Sequence, residues 1–283
     1  MKKYKIITDS SADITFLDDV NFKSVPLKII TSEKEYVDDE NLDVEEMVRK
    51  LYDYKGKSST ACPSPGEWIN AFGDADFIFC ITITGALSGS YNSACTAKKM
   101  VLEDEPDKKI HIIDSLSAGP ELYLIVDKIK ELINEEKDFE EIVKEIEDYR
   151  KNLGLLFMLV SMKNLANNGR VSPLIAKFAG LLGIRIVGKA NDDGKLEPLH
   201  KVRGKKALLT ILTELEKNGY NGGKLRICHV SSLDEATKLK NIILAKYKNA
   251  PITIAASRGL CSFYAEKGGL MIGFEKINKL NII

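Results

Sequence analysis

An alternation in the first half of the chain does most to limit the fold. Short, apolar, β-branched runs are each followed by a stretch of helical periodicity. The runs are Tyr4–Thr8, Phe77–Ile83 and Ile110–Ile113. Helical spacing follows in Asp43–Tyr52, after an early hairpin-like stretch, in Ser88–Val101 and in Pro120–Asn134. A charged helix is expected over Phe139–Lys151, with Phe139, Ile142, Val143 and Ile146 on one face. Parallel strands need long crossovers, so this order predicts an α/β domain with a mostly parallel sheet and flanking helices.

The second half has a different pattern. Leu155–Val160 and Ile184–Gly188 read as strands, separated by an apolar helix, Pro173–Leu182. Ser172 suits its N-cap and Pro173 its first position. "NDDGK" at 191–195 has Asp-Gly turn chemistry and predicts a hairpin. Leu225–Val230 and Ile252–Ala256 bracket an amphipathic helix, Asp234–Lys246, and Leu270–Phe274 closes the set. Hairpins mixed with helices predict an α+β domain. The expected division is residues 1–155 and 156–283.

Composition removes several function classes. Lys+Arg and Asp+Glu both number 41, so no basic surface for nucleic acid is indicated. Five scattered cysteines without a Cys-x-x-Cys, and three histidines without a His-x-x-x-His, speak against a zinc site. Buried or inert thiols in a reducing cytoplasm are expected instead. Asp9 breaks the first apolar run too early for a secretory segment, and no run has transmembrane length. The expectation is a cytoplasmic protein without an integral membrane segment.

Several loops could carry chemistry. In "ITITGALSGSYNSA" (81–94) a strand ends in a Gly-rich turn, with Ser88 and Gly89 where a helix begins. Free N–H groups at that helix start favour an anion, and Ser88 could equally be a plain N-cap. The spacing is not that of a nucleophile elbow, a Walker A loop or a dinucleotide fingerprint. Asp9 and Asp114 each end a strand, where a carboxylate either holds Mg²⁺ or acts as a base, or caps the next turn. "STACPSPGEW" (59–68) presents Thr60 beside two backbone-fixing prolines. "NNGRVSP" (167–173) presents Arg170 either as a solvated cap or as the partner of a carboxylate. "ASRGLCSFYAEKGG" (256–269) puts Ser257 and Arg258 just after a strand.

Together these segments resemble the DegV family along essentially the whole chain. "KIITDSSADI", "STACPSPGEW", "ALSGSYNSA" and "NNGRVS" follow that family's blocks in order and at matching intervals. The resemblance implies two domains with a tunnel between them that binds one long-chain fatty acid, such as palmitate or oleate. Such proteins can serve as the carrier subunit of a bacterial fatty-acid kinase, without a catalytic residue, metal or cofactor of their own. By motif position Thr60 and Ser88 would hydrogen-bond the carboxylate, Gly89 would offer its N–H, and Arg170 would lie near the opening. Leu174, Ile175, Phe178, Leu181 and Leu182 offer a lining for the acyl chain, though core packing explains them equally well.

Two departures stand out. The family's histidine near the C-terminus is replaced by Ser257 in "SRGLC", and "DSLSAGPEL" lacks the usual Gly-x-Gly. Arg258 or Arg170 is therefore expected to supply the head-group charge, with Ser257 giving a neutral hydrogen bond. Two rival readings remain at this level: a Mg²⁺-dependent hydrolase or phosphotransferase using Asp9 and Asp114, and a regulatory sensor of a small anion.

Overall fold

A computed structural model describes residues 3–173, 183–204 and 206–276. Its first sheet has four parallel strands lying side by side: Phe22–Val25 (β2), Tyr4–Asp9 (β1), Phe77–Thr82 (β6) and Lys109–Asp114 (β7). The three apolar runs read from the sequence are adjacent strands here. The early hairpin-like stretch divides in two. Its first part is β2, and the rest joins a small antiparallel sheet of Glu35–Val37 (β4), Lys28–Thr31 (β3) and Ser58–Ala61 (β5).

The third sheet holds Leu196–Arg203 (β10), Ile184–Ala190 (β9), Leu153–Leu159 (β8), Leu270–Glu275 (β13), Leu225–His229 (β11) and Ile252–Ala256 (β12), in that spatial order. Only β11 and β12 run parallel. The Asp-Gly turn does join a hairpin, β9 to β10. Gly194 has φ +73°, and a Cβ there would lie 2.2 Å from Thr84 Oγ1. The hairpin tip is thus seated against the loop after β6, in a space that only glycine fits.

Both faces of the parallel sheet are covered. Pro65–Phe72 (α2) and Ser90–Asp104 (α3) bury Trp68, Phe72, Ala94 and Ala97 on one side. Pro120–Asn134 (α4) and Phe139–Lys151 (α5) bury Leu122, Ile125, Ile129 and Ile142 on the other. α2 starts with a capping box between Ser64 and Glu67, with Pro65 in its first turn.

The large sheet is sandwiched too, and its two layers differ in origin. Lys206–Lys217 (α7) and Leu233–Lys246 (α8) cover Leu156 and Met158. Leu155, Phe157 and Leu159 alternate to the opposite face. That face meets β3, β4, Val44–Asp53 (α1), Lys163–Asn167 (α6) and Gly259–Ala265 (α9). This second layer joins residues from both halves of the chain. Residues 174–182, with the expected lining residues Leu174, Ile175, Phe178, Leu181 and Leu182, lie outside the described residues.

Candidate functional site

The strand ends of the parallel sheet are organised by Asp9. Its buried carboxylate accepts hydrogen bonds from Ser11 N–H (3.2 Å), Ser11 Oγ (2.5 Å), Ile83 N–H (2.9 Å) and Ser90 Oγ (2.6 Å). Burial pushes its pKa up, and these four bonds act in the opposite direction. One side chain thereby ties the end of β1 to the end of β6 and the first turn of α3. Asp114 accepts from Gly85 N–H (3.1 Å) and Leu116 N–H (3.0 Å), fixing the loops after β6 and β7. Both acids serve as turn staples. Among the described residues no group of three or more His, Cys, Asp or Glu could hold a metal ion.

The turn held by Asp9 carries Ser88 and Gly89. Gly89, and not Ser88, is the N-cap of α3, and no side chain caps that helix. Among the described residues Ser88 Oγ makes one long contact, accepting from Ser90 N–H at 3.3 Å. A Cβ on Gly89 would lie 3.2 Å from Cys62 Sγ, so the loop after β5 approaches this turn closely. Thr60 sits on β5 opposite Ile29.

A cavity opens beside these residues, between the small sheet, the large sheet and α9. Thr60, Ser88 and Arg170 contribute its polar groups, with Tyr264; Ile83, Leu155, Phe157, Leu159 and Met271 are among its apolar walls. Arg170 reaches it from the loop after α6, donating from Nε to Leu87 O (3.1 Å) and from Nη1 to Asn168 O (2.5 Å). Few polar groups at a largely apolar cavity suit an amphiphile: the walls exclude water, and the hydroxyls and guanidinium favour an anion.

Of the six residues read from the sequence, Thr60, Ser88 and Arg170 line this cavity, with Gly89 next to Ser88. Ser257 and Arg258 are not among the residues that line it. Ser257 is buried, with no hydrogen-bond partner for its hydroxyl among the described residues, and its N–H donates to His229 O (2.9 Å). The Arg258 guanidinium donates to Asp39 O and lies 3.9 Å from Asp38 Oδ1. The cause is local: Asp38 accepts from Gly259 N–H (2.7 Å) and Leu260 N–H (2.8 Å) at the start of α9, so the arginine is drawn to the acids that hold the helix.

Two features were not anticipated. Tyr264, on α9, is 2.7 Å from Thr60 through its hydroxyl oxygen. Asp13 is buried in the turn after β1 with φ +57°, accepting Arg258 N–H at 2.7 Å. Burial raises the Asp13 pKa to about 7, and the neighbouring Asp38 charge adds to the rise.

Comparison with known proteins identifies the family and the fold. The DegV family model matches residues 3–276. A DegV domain-containing protein of Streptococcus pneumoniae is 46% identical over 277 residues, 96% of this chain and 99% of the relative. The crystal structure of the Streptococcus pneumoniae Fatty Acid Kinase (Fak) B3 protein loaded with linoleic acid is similar at 45% identity and a TM-score of 0.95, covering 98% of this chain and 100% of that one. A DegV family protein from Eubacterium eligens loaded with heptadecanoic acid has 42% identity, a TM-score of 0.95, and covers 97% of this chain and 100% of its own.

Proposed function

The chain belongs to the DegV family, and on that premise we propose that it binds one long-chain fatty acid in the cavity between its halves. The carboxylate lies at Thr60, Ser88 and Gly89, with Arg170 beside it, and the acyl chain runs along Ile83, Phe157 and Met271. The observation that carries this reading is an apolar cavity with a small polar cluster, in a fold whose similar structures are loaded with fatty acids.

The second half of the proposal concerns use. The chain is a cytoplasmic carrier that presents the carboxylate to a separate fatty-acid kinase subunit. That subunit moves the γ-phosphoryl group of ATP onto a carboxylate oxygen, leaving ADP and an acyl phosphate. The carrier itself supplies no nucleophile, metal or cofactor. Similarity to the Fak B3 protein supports this, as does the commitment of Asp9 and Asp114 to turn hydrogen bonds.

A chain-length series tests the binding claim. Delipidated protein titrated with octanoate, laurate, palmitate and oleate should saturate at one site, and affinity should rise with each added CH₂ by up to about 0.8 kcal/mol. Affinity independent of chain length would contradict burial of the acyl chain. Loaded protein with a fatty-acid kinase subunit and Mg-ATP should give acyl phosphate. Turnover by this chain alone would overturn the carrier reading.

A further inference from the structure

α9 turns one side to the cavity. Leu260, Cys261, Tyr264 and Ala265 all line it, at spacings that bring i and i+4 to the same face. The position of the helix is set by Asp38 on its first N–H groups and by Asp13 on Arg258 N–H. Tyr264 is thereby delivered to Thr60 across 204 residues of sequence, at 2.7 Å between hydroxyl oxygens. The Arg170 guanidinium stands 6.0 Å from the centre of the Tyr264 ring. One phenol thus hydrogen-bonds the hydroxyl and faces the cation that the fatty-acid reading gives to the head group.

Building on that reading, we propose that Tyr264 is the positioning residue of the carboxylate site: its O–H donates to Thr60 Oγ1 and leaves the Thr60 proton for the ligand. A threonine hydroxyl has one proton and two lone pairs. If it donated that proton to Tyr264, it could offer a carboxylate only a lone pair, which repels. With an anion in the cavity the order is fixed as Tyr264 O–H to Thr60 O–H to carboxylate, and each bond polarises the next. Burial raises the Tyr264 pKa, outweighing the Thr60 hydrogen bond and the Arg170 charge, so the phenol keeps its proton through the neutral range. Ser257 is not among the residues that line the cavity. The phenol supplies a donor that does not titrate near neutrality.

A double-mutant cycle tests this. Tyr264→Phe removes the hydroxyl and keeps the ring, and Thr60→Val keeps the branched shape. Oleate and oleyl alcohol are the probes, and melting is followed in each variant. Tyr264→Phe should weaken oleate about threefold to tenfold and oleyl alcohol less than about twofold. In the Thr60→Val background the same change should cost oleate less than about twofold, because the group it positions is gone. Additive losses, equal losses for acid and alcohol, or unchanged oleate binding in Tyr264→Phe would each overturn the proposal. Failure of the unmodified protein to bind oleate would instead overturn the fatty-acid reading, and this inference with it.

Discussion

A carboxylate that already holds four donors has little capacity left for a metal ion, and Asp9 is in that state. Its effect is on the turn beside it, which keeps Ser88 at the cavity. Because α3 is capped by Gly89 without a side-chain bond, Ser88→Ala should barely change melting. It should weaken fatty-acid binding by about 1.5–3 kcal/mol, the range for hydrogen bonds to charged groups. Arg258→Met should do the reverse, lowering the melting temperature through its lost contacts with Asp38 and Asp39 while leaving the ratio of acid to alcohol affinity unchanged. Melting and binding measured on both variants decide the matter, and a changed ratio in Arg258→Met would restore that arginine to the site. Thr60, Ser88 and Arg170, singled out by short motifs that resemble family blocks, do line the cavity. Tyr264 was not legible in the sequence: an aromatic residue on an apolar helix face reads as core, and its partner is 204 residues away.

At the scale of elements, local signals were read well and distant staples were missed. The parallel strands followed from alternation with helices, and the β9–β10 hairpin from Asp193-Gly194. The strands β2 to β4 have only three or four residues each, too few for a period to register. Nothing near α9 announces that Asp38 and Asp13 will hold it, since both come from the other half of the chain. That staple has a pH signature. The Asp13 pKa rises from 3.8 to about 7 on folding, through burial first and then the Asp38 charge, against the Arg258 N–H, Cys261 and Arg226. Below about 3.8 both states are protonated and the contribution is fully present; it is lost as pH rises through about 7, because the unfolded chain releases the proton first. Glu121, raised from 4.5 to about 7 mainly by burial, adds the same sign. Denaturant unfolding at pH 5 and pH 8 should find the protein less stable at pH 8. Asp13→Asn, which can still accept the Arg258 N–H, should shrink the difference, and an unaltered difference would remove Asp13 from the account.

At the scale of the molecule, the two halves are clasped around the cavity rather than hinged at one point. Lys224 Nζ lies 2.7 Å from Asp127 Oδ2 and also pairs with Glu131. Tyr149 donates to Glu275 Oε1 at 2.7 Å, the Arg226 guanidinium stacks 3.6 Å from the Tyr123 ring centre, and Gly194 seats the hairpin tip on Thr84. An acyl chain enclosed by such a clasp gains roughly 0.8 kcal/mol per CH₂, on the order of 12 kcal/mol for about fifteen methylenes before the costs of binding. Release must return that surface to water, so dissociation is slow and ligand should survive purification. The most direct measurement is native mass spectrometry of freshly purified protein, followed by organic extraction and identification of what is released. The expected result is one long-chain fatty acid per chain. Repeated lipid-free preparations that also refuse added palmitate and oleate would contradict the account.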